Sequence, residues 1–537
     1  MFHRDSATFE CYRILSSFRA PQTAHGRRWC KTVNCASMSL VMVTPGLTKG
    51  LVMDTVGKAC FMGVENKPNR FNPFDFFLFG SRLSRETELL GTWFSDRRFL
   101  HDHGWGGFEL EAWLVDAKGY PAPLNQRFLE RLGNYPLVPE LSLFNVELNT
   151  EERPLKGDAL RRMHDSLAST WSFCDQTAME MGMGLMMIGI LPTVTFDDLT
   201  SSNMTPVSRY MALNEQVIRM HGDDPFELNI AGREHLCLEH HDILMEAATT
   251  SFQIHLQVNQ EDAVRMYNAA LIASAPMVAI AANAPFLFGK SLWDETRIPV
   301  FEQAVPLGRD RALSGPLPRV SFGHGYVRES LMELFLENQQ SFPPLLPIGS
   351  NDRPEQMHHV RMHNSTIWRW NRPLVGFDAM GRPHLRLEHR VTSAGPTVMD
   401  CMANAAMFYG LVYALSSLKT PPEKLIPFFE AQSGFYLAAR HGLDAQILWI
   451  QGNRVSLREL LYRDLLSLAR RGLEQAGLDM ADIDIFLGII EGRLRTGQNG
   501  AVWQRAYVNK HGPDMGALTL AYLQRQRTME PVHGWTL

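Results

Sequence analysis

Four short runs of alternating apolar and polar residues constrain this chain more than any other feature, because a period of two fits an extended strand and no helix. In residues 107–115, Phe108, Leu110, Ala112 and Leu114 share one face while Glu109 and Glu111 share the other. Residues 143–149 set Phe144, Val146 and Leu148 against Asn145, Glu147 and Asn149. Residues 251–259 set Phe252, Ile254, Leu256 and Val258 against Gln253, His255, Gln257 and Asn259. Residues 384–391 set Leu385, Leu387 and Val391 against His384, Arg386, Glu388 and Arg390. Strands of this kind bury one face, and long helical spacers between them favour an antiparallel sheet with helices packed on one side. The expected fold class is α+β, not a doubly wound parallel sheet.

A helix is expected after Asn259, with Glu261 and Asp262 in its first turn, where acidic groups suit the helix dipole. Ser456-Leu457-Arg458-Glu459 reads as a capping box opening a leucine-rich amphipathic helix that should stop near Gly472. Residues 269–288 carry no charge and are long enough to span a bilayer. They are rich in alanine and hold Pro276, Asn283 and Pro285, so a buried helix followed by a turn is expected. Residues 397–418 are read the same way because of Asp400 and Asn404. No membrane partner is expected.

The polar faces of the four runs contain no lysine and repeatedly offer hard-metal ligands, which a plain solvated face does not explain as a set. Glu109 and Glu111 project the same way from backbones roughly 7 Å apart. Two like charges converging on a dry site call for cations between them. Glutamate and histidine suit Mg²⁺, with Mn²⁺ as an alternative. No HExxH zinc motif, P-loop, GxGxxG or kinase signature occurs. A triphosphate would therefore have to be held by metals and arginines.

The formal net charge of −5 argues against non-specific nucleic-acid binding. Seven cysteines without CxxC spacing suit a reducing compartment, and a cytoplasmic location is expected. The first fifty residues hold seven Arg/Lys against only Asp5 and Glu10, a transit-peptide-like balance without an apolar core for secretion. A poorly ordered extension, or a start placed too far upstream, explains them equally well. The expected organisation is an extension over 1–70, a catalytic core over 71–420, and a helical region over 421–537 packed on the same domain.

Ten runs, in consistent order over roughly residues 95–510, resemble the glutamate–cysteine ligase family 2, carboxylate–amine ligases of the glutamine-synthetase-like superfamily. They are GGFELEAWLVD (106–116), PELSLFNVELNT (139–150), GILPT (189–193), EAATTSFQIHLQV (246–258), ANAPFLFGKSLWDETRIPVFEQ (282–303), RVSFGHGYV (319–327), HNSTIWRWNRP (363–373), HLRLEHRVTSAGPTVMD (384–400), FYLAARHGLDA (435–445) and RTGQNGAVWQ (495–504). The resemblance implies a curved, mainly antiparallel sheet forming a funnel, with helices outside. It also implies ATP and Mg²⁺ as cofactors, an amino-acid carboxylate donor and an amine acceptor. Glu109, His255 and Glu388 would hold the metal nearest the transferred phosphoryl group. Glu111, Glu140 and Glu147 would form the other metal site, with Glu140 resting on the resemblance alone. Arg390 would contact phosphate oxygens during transfer. The implied reaction passes through an acyl phosphate, most simply from glutamate and cysteine to γ-glutamylcysteine in glutathione biosynthesis.

Substrate contacts are less sharply drawn. Arg297 is the candidate for a substrate carboxylate, against a salt bridge with Asp294 or Glu295. Gln253 and Asn145 are candidates for orienting substrate or metal-bound water, against plain sheet hydrogen bonds. Arg369, Trp370 and Trp368 are candidates for the nucleotide, against a place in the core. His235, His240 and His241 are read as surface or loop residues. His389 departs from the family pattern and should face the core in a buried hydrogen bond. A ligase for another amino acid or amine, and a binding protein without turnover, are the alternative functions; a two-metal phosphoesterase fits the Glu-dominated set less well. The sequence leaves a homo-oligomer open.

Overall fold

All four alternating runs form strands, and their register explains the regular pattern. In the computed structural model, which describes residues 71–537 apart from 103, 223 and 306–315, six strands lie side by side. They are β1 (Trp105–Val115), β2 (Leu137–Pro139), β3 (Asn145–Asn149), β4 (Phe252–Val258), β5 (Asn371–Phe377) and β6 (Pro383–His389). The spatial order is β5-β6-β4-β1-β3-β2, with every neighbour antiparallel. Two short strands, Arg153–Pro154 and Gly184–Met186, also pair with β1. The sheet curls into a half-barrel, the glutamine-synthetase-like arrangement. The expectation for residues 1–70 lies outside the described residues.

The helices that matter to the site are α1 (Pro73–Ser95), α2 (Ala159–Glu180), α3 (Ala263–Ala281), α4 (Arg297–Ala304), α5 (Val398–Ser416), α6 (Leu466–Gln475), α7 (Met480–Thr496), α8 (Gly500–His511) and α9 (Met515–Arg527). Helices α3 and α5 cover the apolar face of the sheet. Tyr409 of α5 donates to the His255 carbonyl at 3.0 Å, and Tyr267 of α3 donates to the Asn371 carbonyl at 3.2 Å. Phe108 and Phe252 pack at 4.8 Å beneath them. Both helices are long and apolar enough to cross a membrane, yet 89% of each apolar window is buried inside the fold. His389 also turns to this side, stacking on Phe408 at 4.1 Å and bonding Asn371 through Nδ1 at 2.7 Å. Burial pushes its imidazole down to about 3.

Two helix boundaries differ from expectation. Helix α3 begins at Ala263, so Glu261 and Asp262 precede its first turn. Glu261 is drawn outward instead, to His101 at 3.4 Å and Arg97 at 3.9 Å. Ser456 does cap Glu459 N–H, at 3.5 Å, but the helix passes through a π-turn (Leu461–Leu465) and runs beyond Gly472 to Gln475. Gly472 is a crossing contact: it lies against the Gly410 carbonyl of α5, where a Cβ would collide. The chain turns at Gly477, whose φ of 79° suits glycine.

Candidate active site

Strand register assembles the polar residues. Glu388 of β6 lies opposite His255 of β4, and Glu109 of β1 lies opposite Gln253 of β4 and Asn149 of β3. One step along, Glu111 lies opposite Glu147. The two-residue period puts them all on the face away from α3 and α5.

Ligand atoms of Glu109, His255 and Glu388 lie within 4.8 Å of one another. His255 Nε2 approaches Glu109 Oε1 at 3.2 Å. Neither ring nitrogen of this buried histidine completes an aligned hydrogen bond among the described residues. Two carboxylates and an imidazole with nitrogens to spare fit a divalent cation.

A relay of hydrogen bonds ties this trio to the second carboxylate group. Arg390 donates to Glu388 Oε2 at 3.2 Å and to Gln253 Oε1 at 2.5 Å. Gln253 Nε2 donates to Glu111 Oε1 at 2.9 Å, and Ser251 N–H donates to Glu111 Oε2 at 2.6 Å. Glu147 accepts from Asn149 Nδ2 at 2.8 Å. Glu140 stands in the loop after β2, where its carboxyl accepts from Leu141 N–H at 3.1 Å and shares a hydrogen bond with Glu147.

The two halves differ in protonation. Burial alone would raise Glu388, but Arg372 and then Arg390 hold it far below the carboxylate range. Burial is likewise outweighed at Glu109, chiefly by the facing His255. In the other half burial wins. Glu140 is pushed up to about 7 by burial and by Glu111, and Glu246 up to about 8 by burial, Glu140 and Glu111. Burial raises Glu111 too, against the pull of Arg390. Glu109 and Glu388 are thus kept ionised beside His255 and arginine, while Glu140 and Glu246 hold protons that a metal would displace.

Two site residues escaped the sequence reading. Arg372 of β5 lies opposite Glu388 and grips it fork to fork. Glu246, in the 3₁₀ turn Ile243–Ala248, joins the proton-holding half. Both stand inside runs that carried the family resemblance.

Other candidates lie elsewhere. Arg297, 2% exposed, pairs with Glu295 at 2.9 Å and donates to the carbonyls of Arg390 and Val391. This is the salt-bridge alternative for that residue. Trp368–Arg369 belongs to a separate two-stranded sheet with Val320–Ser321. There Arg369 is fully buried, bound to Asn338 and Glu337, and Trp370 donates its indole N–H to Glu302 at 2.9 Å. Both occupy the core reading rather than the carboxylate face. Asn145 accepts from Ser142 Oγ. The histidine trio divides: His235 is exposed on a strand, but His240 is buried against the Asp242 carbonyl at 2.9 Å.

The glutamate–cysteine ligase family 2 model matches residues 106–524. No curated protein matches the chain. Among solved structures, glutamate–cysteine ligase from Francisella tularensis in complex with AMP is similar at 9% identity and a TM-score of 0.50, over 81% of this chain and 92% of that one. A bifunctional glutathione synthetase from Pasteurella multocida is similar at 12% identity and a TM-score of 0.49, over 84% of this chain and 55% of that one. The ligase PafA, in complex with the ubiquitin-like protein Pup, is similar at 10% identity and a TM-score of 0.35, over 80% and 73%.

Proposed function

The chain belongs to the glutamate–cysteine ligase family 2, and from that premise we propose that it joins the side-chain carboxylate of L-glutamate to an amine at the expense of ATP, with L-cysteine as the first acceptor. The observation that carries the reading is one sheet face holding Glu109, His255 and Glu388 within 4.8 Å beside the Arg390 guanidinium.

The donor carboxylate attacks the γ-phosphorus of ATP, ADP leaves, and an acyl phosphate remains. The amine then attacks the acyl carbon, loses a proton, and phosphate departs to leave an amide. Glu109, His255 and Glu388 would hold one Mg²⁺, and Glu111, Glu140 and Glu147 another; bound there, the ions supply charge neutralisation for the phosphoryl group. Arg390 keeps donors beyond those given to Glu388 and Gln253, and these can meet phosphate oxygens. Gln253 couples Arg390 to Glu111, so the arginine and the second carboxylate group are set together. Positioning and electrostatics do the work, and no serine or cysteine nucleophile is required.

The free thiols Cys174, Cys237 and Cys401 and the burial of both apolar helices support a cytoplasmic setting. The proposal is tested by mass spectrometry of products from the purified chain, Mg²⁺, ATP and pairs of amino acids. A condensed γ-glutamyl product that forms only with ATP is expected. Its absence for every donor and acceptor pair would remove the proposal.

A further inference from the structure

Arg297 and the run at 495–504 have no part in the chemistry described so far, yet one chain of buried hydrogen bonds joins them to Arg390. Arg297 opens α4, and its guanidinium makes three directed contacts. Nε reaches Glu295 Oε1 at 2.9 Å, and the two Nη atoms reach the consecutive carbonyls of Arg390 and Val391. The plane also lies 5.3 Å from the Trp370 ring, whose backbone carbonyl accepts the Arg390 N–H at 2.9 Å. The peptide groups on both sides of the Arg390 Cα are therefore fixed by the Arg297–Trp370 stack.

Glu295, itself 1% exposed, is held in turn. Its Oε1 also accepts from Ser393 Oγ at 2.9 Å, and its Oε2 accepts from Asn283 N–H at 2.9 Å. Asn283 is the hub to the C-terminal helices. Its Nδ2 donates to Tyr522 Oη of α9 at 2.7 Å and to the Ala394 carbonyl at 2.8 Å, while its Oδ1 accepts from Gln504 of α8 at 2.9 Å. Gly500 lies so close to the Asn283 side chain that a Cβ could not be added. The RTGQNGAVWQ run thus seats Asn283, Asn283 seats Glu295, and Glu295 seats Arg297.

We infer that Arg297 is a positioning residue, which fixes the carbonyls of Arg390 and Val391 and so aims the Arg390 guanidinium at the transferred phosphoryl group. A lysine at 297 cannot fork across two carbonyls and a carboxylate at once. The inference rests on the ligase reading for the role of Arg390. It differs from that reading in giving Arg297 no contact with substrate.

The test is a double-mutant cycle on the full chain, with Arg297→Lys and Arg390→Lys. Arg297→Lys should lower kcat by about 10- to 100-fold, as displacement of a positioned group by a fraction of its length does, with the donor KM changed less than about threefold. In the Arg390→Lys background the same change should cost less than about threefold, because its effect passes through Arg390. A donor KM raised about tenfold or more with kcat retained, or losses that multiply in full, would overturn the inference. If Arg297→Lys does not fold, Glu295→Gln enters the same cycle and is judged by the same non-additivity. The cycle is repeated on affinity for a non-hydrolysable ATP analogue with Mg²⁺, which needs no turnover. A wild type that binds the analogue but forms no amide overturns the ligase reading, while the binding cycle still decides on Arg297.

Discussion

Arg372 and Glu388 meet fork to fork, Nε to Oε2 at 2.8 Å and Nη2 to Oε1 at 3.0 Å, from directly opposed positions on β5 and β6. The third nitrogen of Arg372 is anchored on the Asn364 carbonyl at 3.3 Å. A carboxylate has about four lone-pair positions, so the pairing leaves Glu388 able to bind a cation while fixing its plane. Arg372→Lys should therefore raise the Mg²⁺ concentration for half-maximal activity by about 10-fold or more, the usual cost of losing a partner that orients a ligand. A metal titration of activity checks this, and an unchanged midpoint would show that Glu388 needs no such support.

Glu111→Gln and Glu147→Gln should each lower ligation by about 100-fold or more while leaving the fold intact. Glu111 and Glu147 face each other beside Glu140, so removing one charge relieves repulsion when metal is absent. Circular-dichroism melting without metal should show an unchanged or higher midpoint. Turnover near wild type in either variant would remove those residues from the metal group.

Stability without metal should depend on pH in a particular sense. Glu140 and Glu246 are raised to about 7 and about 8, above the 4.5 of a free carboxyl. The folded state thus binds more protons than the unfolded state between those values, and stability falls as pH rises from about 5 through 8. Mg²⁺ displaces the protons, so its stabilising effect should grow over the same interval. Thermal melts at several pH values, with and without Mg²⁺, check both statements. Glu246→Gln should flatten the metal-free profile, and a slope unchanged by that substitution would assign the effect elsewhere.

What the sequence disclosed follows from periodicity. Glu109, Glu111, Glu147, Gln253, His255 and Glu388 lie on strands whose other face is apolar except for His389, so a period of two assigns their side without knowledge of the partner strands. Arg372 was hidden because Pro373 and Gly376 interrupt the alternation of β5. Glu246 was hidden because a 3₁₀ turn has no strand period to read. Glu140, on a loop after a three-residue strand, was visible only through family resemblance. Arg369 lies apart from the main sheet because a small parallel pairing at residues 320–321 takes Trp368–Arg369 out of it. Gly472 misled because a glycine needed for the close approach of two helices looks, in sequence, like one that ends a helix.

The most direct test of the central claim is ADP release by the purified protein with Mg²⁺ and ATP, measured with L-glutamate, with an amine, and with both. The site predicts that release is fast only with both present, because an acyl phosphate shielded from water waits for its amine. L-Cysteine is the amine to begin with, and γ-glutamylcysteine should accumulate in step with ADP. Release that needs an amine but ignores glutamate would keep the ligase and change the donor. Equal release with and without any amino acid, across a range of Mg²⁺ concentrations, would contradict the account.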